Sequence, residues 1–189
     1  AAALWLSLFL LLGNAFFVGA EFAVMSVRRS QLEPLVASGV PGAKTALFAV
    51  EHVSQMLTTA QIGVTVCTTS LGALAEPAIA HLLEVPFQAV GLPPAAAHVV
   101  AVVIALVFVV YLHVVAGEMS PKNLASAVPD KAALWFGPPL VWISRVLAPV
   151  IWLLTWFANT LLTLVGVEPR HEIASAFTAA EVASIVQLS

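Results

Sequence analysis

Charge is scarce in this sequence. Among 189 residues only seven are basic and ten acidic, 61% are hydrophobic, and the mean hydropathy is +1.02. A soluble domain carries about a quarter charged residues, so this chain lacks the polar coat that a water-exposed surface of its size needs. Soluble-enzyme, nucleic-acid-binding and disordered readings are therefore poor starting points, and a net charge of −3 offers a polyanion nothing to bind. Cysteine is nearly missing too: Cys67 alone cannot form an intrachain disulfide. The five histidines make no HxxxH pairing and there is no CxxC, which disfavours zinc and copper sites. A Gly-rich phosphate loop, a nucleophile elbow and a Ser/His/Asp constellation are all absent, which argues against an enzyme.

What is present is long apolar runs. Residues 1–27 hold a single charge, Glu21, and stop at Arg28-Arg29, enough for the roughly 20 residues a spanning helix needs. The run is too long for the apolar core of a signal peptide and no basic segment precedes it. Residues 28–55 carry charges and the breakers Pro34, Gly39, Pro41 and Gly42, which predicts short surface helices. A second span is expected over about 56–83, rich in Thr and Gln, and a third over about 95–116.

Lys and Arg accumulate on the cytoplasmic side. Arg28, Arg29 and Lys44 precede the second span, none lies in 84–97, and Lys122 and Lys131 follow the third, so the N-terminus is expected outside. Residues 132–166 could cross once more, but Arg145 sits mid-run among Pro138, Pro139 and Pro149, with Trp135, Trp142, Trp152 and Trp156 around them. Trp favours the interface and a mid-bilayer Arg is costly, so a Pro-broken juxtamembrane helix in the inner leaflet is preferred to a fourth span. Residues 1–166 thus form the membrane domain. The polar stretch 177–189 reads as a helix cut short, so 167–189 is expected to begin a cytoplasmic linker towards a soluble domain absent from this sequence.

Polar residues within spans usually face a cavity, a partner or a pathway. Asn14 and Glu21 are seven apart, within about 20° of each other on one helix face. Ser26 falls near a stripe of small residues with Ala15 and Gly19, which would let another helix approach; alone, its hydroxyl is as readily explained by bonding back to its own helix. Thr58, Gln61, Thr65, Thr69, Gly72 and Glu76 recur near one face of the second span. Thr68, Thr69 and Ser70 form a hydroxyl cluster, with Pro77 weakening the helix beyond it. Such hydroxyls also serve as plain interhelical glue. After the third span, Gly117 allows close approach, Glu118 supplies a carboxylate, and Pro121 is expected to stop the helix and leave carbonyls near 116–118 unpartnered. Carboxylate, carbonyl and hydroxyl oxygens are the ligands Mg²⁺ prefers. His113 is read as a pathway or packing residue, without a ligand role.

Three stretches carry a family resemblance: Gly19-Ala-Glu-Phe-Ala-Val-Met-Ser-Val-Arg-Arg29; Gln61-Ile-Gly-Val-Thr65 with Leu71-Gly-Ala-Leu-Ala-Glu-Pro77; and Gly117-Glu-Met-Ser-Pro-Lys-Asn-Leu-Ala125. Together they resemble the transmembrane (DUF21) domain of the CNNM/CorC magnesium transporters, over almost the whole chain. The resemblance implies an all-α membrane fold of three transmembrane helices with short cytoplasmic helices and a juxtamembrane helix, assembled as a homodimer in the cell (inner) membrane. It implies Mg²⁺ efflux, with Na⁺ as a coupling ion, a largely dehydrated Mg²⁺ held between the spans, and ATP acting only through downstream CBS domains absent here. By resemblance the metal site takes Ser26, Gly117 and Glu118, together with either Thr68 or Ser70, since the family often has Asn where this chain has Thr68. Pro121 and Lys122 match the family's Pro-Lys pair, and Glu21, Asn14, Thr65 and Thr69 are assigned to the ion path or its framework. The rival expectation is a membrane anchor that senses Mg²⁺ for cytoplasmic partners without carrying flux.

Overall fold

The computed structural model describes residues 2–164. The linker expected at 167–189 lies outside the described residues. Every described element is helical, in the order α1 (Ala2–Ser26), α2 (Arg29–Ala37), α3 (Ala43–Glu51), α4 (Val53–Ala89), α5 (Pro94–Leu112), a π-helical turn (His113–Met119), α6 (Ser120–Ala127), α7 (Pro129–Val146) and α8 (Ala148–Leu164).

Among the described residues three helices are long and apolar enough to cross a membrane: α1, α4, and the continuous helix Pro94–Ala127 made by α5, the π turn and α6. The count rises to four only if the interrupted pair α7 and α8 is taken as one span. The chain is a multi-pass membrane protein. Two spans are longer than the sequence suggested. Pro77 and Pro86 lie inside α4, and Pro121 sits in the first turn of α6 instead of ending the third helix. Within a helix Pro removes one N–H and neighbouring groups can re-satisfy the freed carbonyl. The stretch 132–166 is indeed interrupted, but at Leu147, just ahead of Pro149; Pro138 and Pro139 are absorbed within α7.

Lipid logic governs the packing. On α5 the fully buried residues are Ala97, Ala101 and Ala105, spaced one turn apart, the last two packed with Ala80 of α4, while Val103, Val107 and Phe108 point outward. Small residues let helix backbones approach where burying large side chains gains nothing over lipid. The α1–α4 contact follows the same rule: a Cβ on Gly63 would stand 2.5 Å from the Phe17 ring, so the ring lies against this helix only because the position has no side chain. Ala23 of α1 meets Ala125 and Ala132, and Phe16 and Phe17 pack with Met56 and Leu140 in the largest buried cluster.

The region 28–55 forms two short helices, as its composition suggested, but they are not merely superficial. Leu32, Ala43, Ala46 and Ala49 are fully buried, and Ala46 touches Gly137 of α7. Outside this packing, Arg29 binds Glu33 at 2.7 Å and Glu51 at 3.3 Å. The Glu33 hydrogen bond, then the Glu51 charge, raise its guanidinium pKa above the ordinary value. Helix α8 is a separate unit, with Trp152 and Trp156 exposed and Trp156 edge-on to Phe157.

Candidate functional site

The site is built where the third long helix stops being α-helical. In an α-helix the carbonyl of Gly117 accepts the N–H four residues on, but that residue is Pro121, which has none. Denied that i+4 donor, the oxygen accepts from Asn14 Nδ2 of α1 at 2.9 Å. Asn14 is fully buried, and its own Oδ1 accepts the Thr68 hydroxyl of α4 at 3.1 Å. One amide thus ties all three spans together. Glycine suits this approach: a Cβ at Gly117 would lie 3.0 Å from Asn14 Nδ2 and 3.2 Å from Leu11 Cδ1, so the amide and the leucine would have to shift to admit it.

The π turn has a second effect. Residues five apart sit about 140° apart on an α-helix but come close to alignment where the turn widens to i→i+5 bonding. His113 Nε2 and Glu118 Oε1 accordingly meet at 2.9 Å. Ser120 Oγ likewise donates to the Val115 carbonyl at 2.7 Å. The His113 side chain is 13% exposed and that of Glu118 48%.

Two cavities adjoin this framework. One, about 250 Å³, is lined by Val18, Glu21, Phe22, Val64, Glu118 and Lys122. Carboxylates from two different spans therefore share it with one ammonium, and Lys122 Nζ is drawn over the Phe22 ring at 4.7 Å. Two carboxylates against one ammonium leave the cavity short of positive charge, which suits a cation. The other, about 190 Å³, is lined by Thr68, Gly72, Glu76 and His113 together with apolar residues of α5. Because His113 lines one cavity and Glu118 the other, their bond joins the two.

Gly117, Glu118, Asn14, Glu21, Thr68 and Lys122 thus come together as neighbours, with Pro121 buried behind them. Ser26 does not line either cavity; it ends α1 one turn beyond Phe22, about 6 Å further along the axis. Ser70 is half-buried on α4 and lines neither cavity. Gln61, Thr65 and Thr69 are exposed, so this part of the polar stripe of α4 faces away from its own chain, while Gly72 and Glu76 of the same stripe line the second cavity. Thr58 and Thr59 bond back to carbonyls one turn earlier. Sequence reasoning set His113 aside as a ligand, and the signal that could have singled it out was its five-residue spacing to Glu118 ahead of a Gly and a Pro. Among the described residues no three His, Cys, Asp or Glu side chains form a metal-holding group.

The profile of the family described as "Cyclin M transmembrane N-terminal domain" matches residues 5–189. An uncharacterized protein of Mycobacterium tuberculosis is 43% identical over 185 residues, covering 98% of this chain and 52% of its own length. A UPF0053 protein of Bacillus subtilis, YhdP, is 34% identical over 159 residues, 84% of this chain and 36% of its own. A UPF0053 protein of Synechocystis is 28% identical over 174 residues, 92% of this chain and 38% of its own. The chain spans about half the length of the mycobacterial relative and less of the others.

Proposed function

This chain belongs to the cyclin M transmembrane domain family, and from that premise we propose that it is the membrane part of a Mg²⁺ transporter whose cation passes between its three spans. The observation that carries the reading is the cavity where Glu21 and Glu118 meet with a single ammonium opposite. A carboxylate in a span is costly unless it has a role, and two from different helices facing one space give a divalent cation both charge and oxygen ligands. Glu118 is the main charged ligand, Glu21 attracts the ion, and Asn14 and Thr68 hold the framework. Ser26 and Ser70 stand outside the cavity lining, so a part for them in the ligand set is for mutation to decide.

A homodimer belongs to the proposal as well. The outward polar face of α4, with Gln61, Thr65 and Thr69 exposed, is expensive against lipid and is relieved by a second copy. The N-terminus lies outside the cell membrane and the basic loops within, the ion leaves the cell, Na⁺ entry drives it, and downstream CBS domains add ATP control.

The test is Mg²⁺ flux in proteoliposomes of the full-length protein, wild type and Glu118→Ala, with and without an opposing Na⁺ gradient. Flux that requires Glu118 and rises with inward Na⁺ supports a coupled carrier. Flux that survives Glu118→Ala sinks the site, and Mg²⁺ binding without flux under either gradient favours the sensor.

A further inference from the structure

Glu118 carries the proposed cation site, yet its side chain is nearly half exposed, and a flexible carboxylate on a helix surface is a poor ligand unless something fixes its rotamer. His113 does this. Its ring is largely buried, it is bound to Glu118 through Nε2 alone, and Nδ1 is buried without any partner. An ionised carboxylate only accepts, so in this pair Nε2–H is the donor. The bond occupies Oε1 and leaves Oε2 of Glu118 free for a ligand. The two residues meet only because the helix is π-wound between them, and π turns are frequent at functional sites.

We propose that His113 is a positioning residue: it holds Glu118 in the orientation in which the second carboxylate oxygen faces the cavity, and the π turn exists to bring the two together. The inference rests on the Mg²⁺ reading of that cavity. Carboxylates that bind metals are themselves hydrogen-bonded, and removing such a partner typically weakens metal binding about 10–100-fold. His113 would touch no ion itself.

The test is Mg²⁺ titration of the full-length protein in lipid nanodiscs, for wild type, Glu118→Gln and three variants of His113. His113→Phe fills the space and removes the donor. His113→Gln places an amide N–H near the position of Nε2, whereas His113→Asn reaches only as far as Nδ1. The expected result is a Kd raised about tenfold or more in His113→Phe and His113→Asn and close to wild type in His113→Gln, with no added effect of His113→Phe once Glu118 is Gln. The contrast between Gln and Asn keeps the test alive if the Phe variant does not fold, since both are polar and similar in size. If wild type binds Mg²⁺ through Glu118 and His113→Asn binds as well as His113→Gln, the positioning role is overturned while the transport reading stands. If wild type binds no Mg²⁺, the function itself falls and this inference with it.

Discussion

The two halves of the helix Pro94–Ala127 obey different rules. The first, α5, turns alanines towards α4 and large aliphatic groups towards lipid, stays α-helical throughout, and contains no charge after His98. The second opens with a π turn and carries His113, Gly117, Glu118, Pro121 and Lys122 within ten residues. The first half is what a bilayer selects when nothing but crossing is required. Each oddity of the second removes something the first half has: the missing side chain of Gly117 and the missing N–H of Pro121 open a contact with α1, and the lost helical regularity opens one between His113 and Glu118 of the same helix. Function here is made by subtracting from a well-formed membrane helix.

Matched truncations should separate the halves most sharply. Glu118→Ala is expected to abolish Mg²⁺ flux in proteoliposomes while the protein stays folded, whereas Val107→Ala, at a residue 65% exposed on the outer face of α5, should leave flux and thermal stability as they are. Equal losses would erase the distinction. Gly117→Ala comes next. The new methyl displaces the Asn14 amide, and thermal unfolding should show a loss of about 1–3 kcal/mol, as for other overpacked sites. Pro121→Ala restores the N–H that Gly117 lacks and competes with Asn14 for its carbonyl. The turn should tighten and the half-saturating Mg²⁺ concentration rise about tenfold, the effect of losing a ligand's outer support. The smallest change is expected from Thr68→Val, which removes one hydrogen bond between spans, worth about 0.6 kcal/mol on average in a membrane protein. Chemical unfolding that shows several times that loss would make Thr68 a more central member of the network than its single bond suggests.

Hydropathy alone revealed three spans, because long uncharged runs have one stable solution in lipid. The helices run on past the ends expected for them, since Pro86 and Pro121 are strong stops in water and weak ones where neighbouring helices serve the freed carbonyls. The face shared by Asn14 and Glu21 was legible as a seven-residue spacing, and both residues do turn towards the same partner helix. On α4 the same method found the polar stripe without telling which way it faced: the buried side is Ala60, Gly63, Cys67, Leu71 and Ala75, and the Thr stripe looks outward. The bond from Asn14 to Gly117 could not be read at all, because a backbone carbonyl leaves no mark in side-chain periodicity. The pairing of His113 with Glu118 was hidden for a related reason, as a search at 3.6 residues per turn sets residues five apart on different faces.

Asn14 belongs to the first span that ribosome and translocon deliver, Thr68 to the second and Gly117 to the third. For most of synthesis, then, the amide sits in a helix whose neighbours do not yet exist, with neither its donor nor its acceptor matched, and in hydrocarbon such a group is expensive. Only arrival of the last span lets it settle. The three-way tie is therefore the last polar contact of the bundle to close: a chain stalled or cut before Gly117 keeps the Asn14 amide in α1 without the carbonyl it bonds in the folded protein.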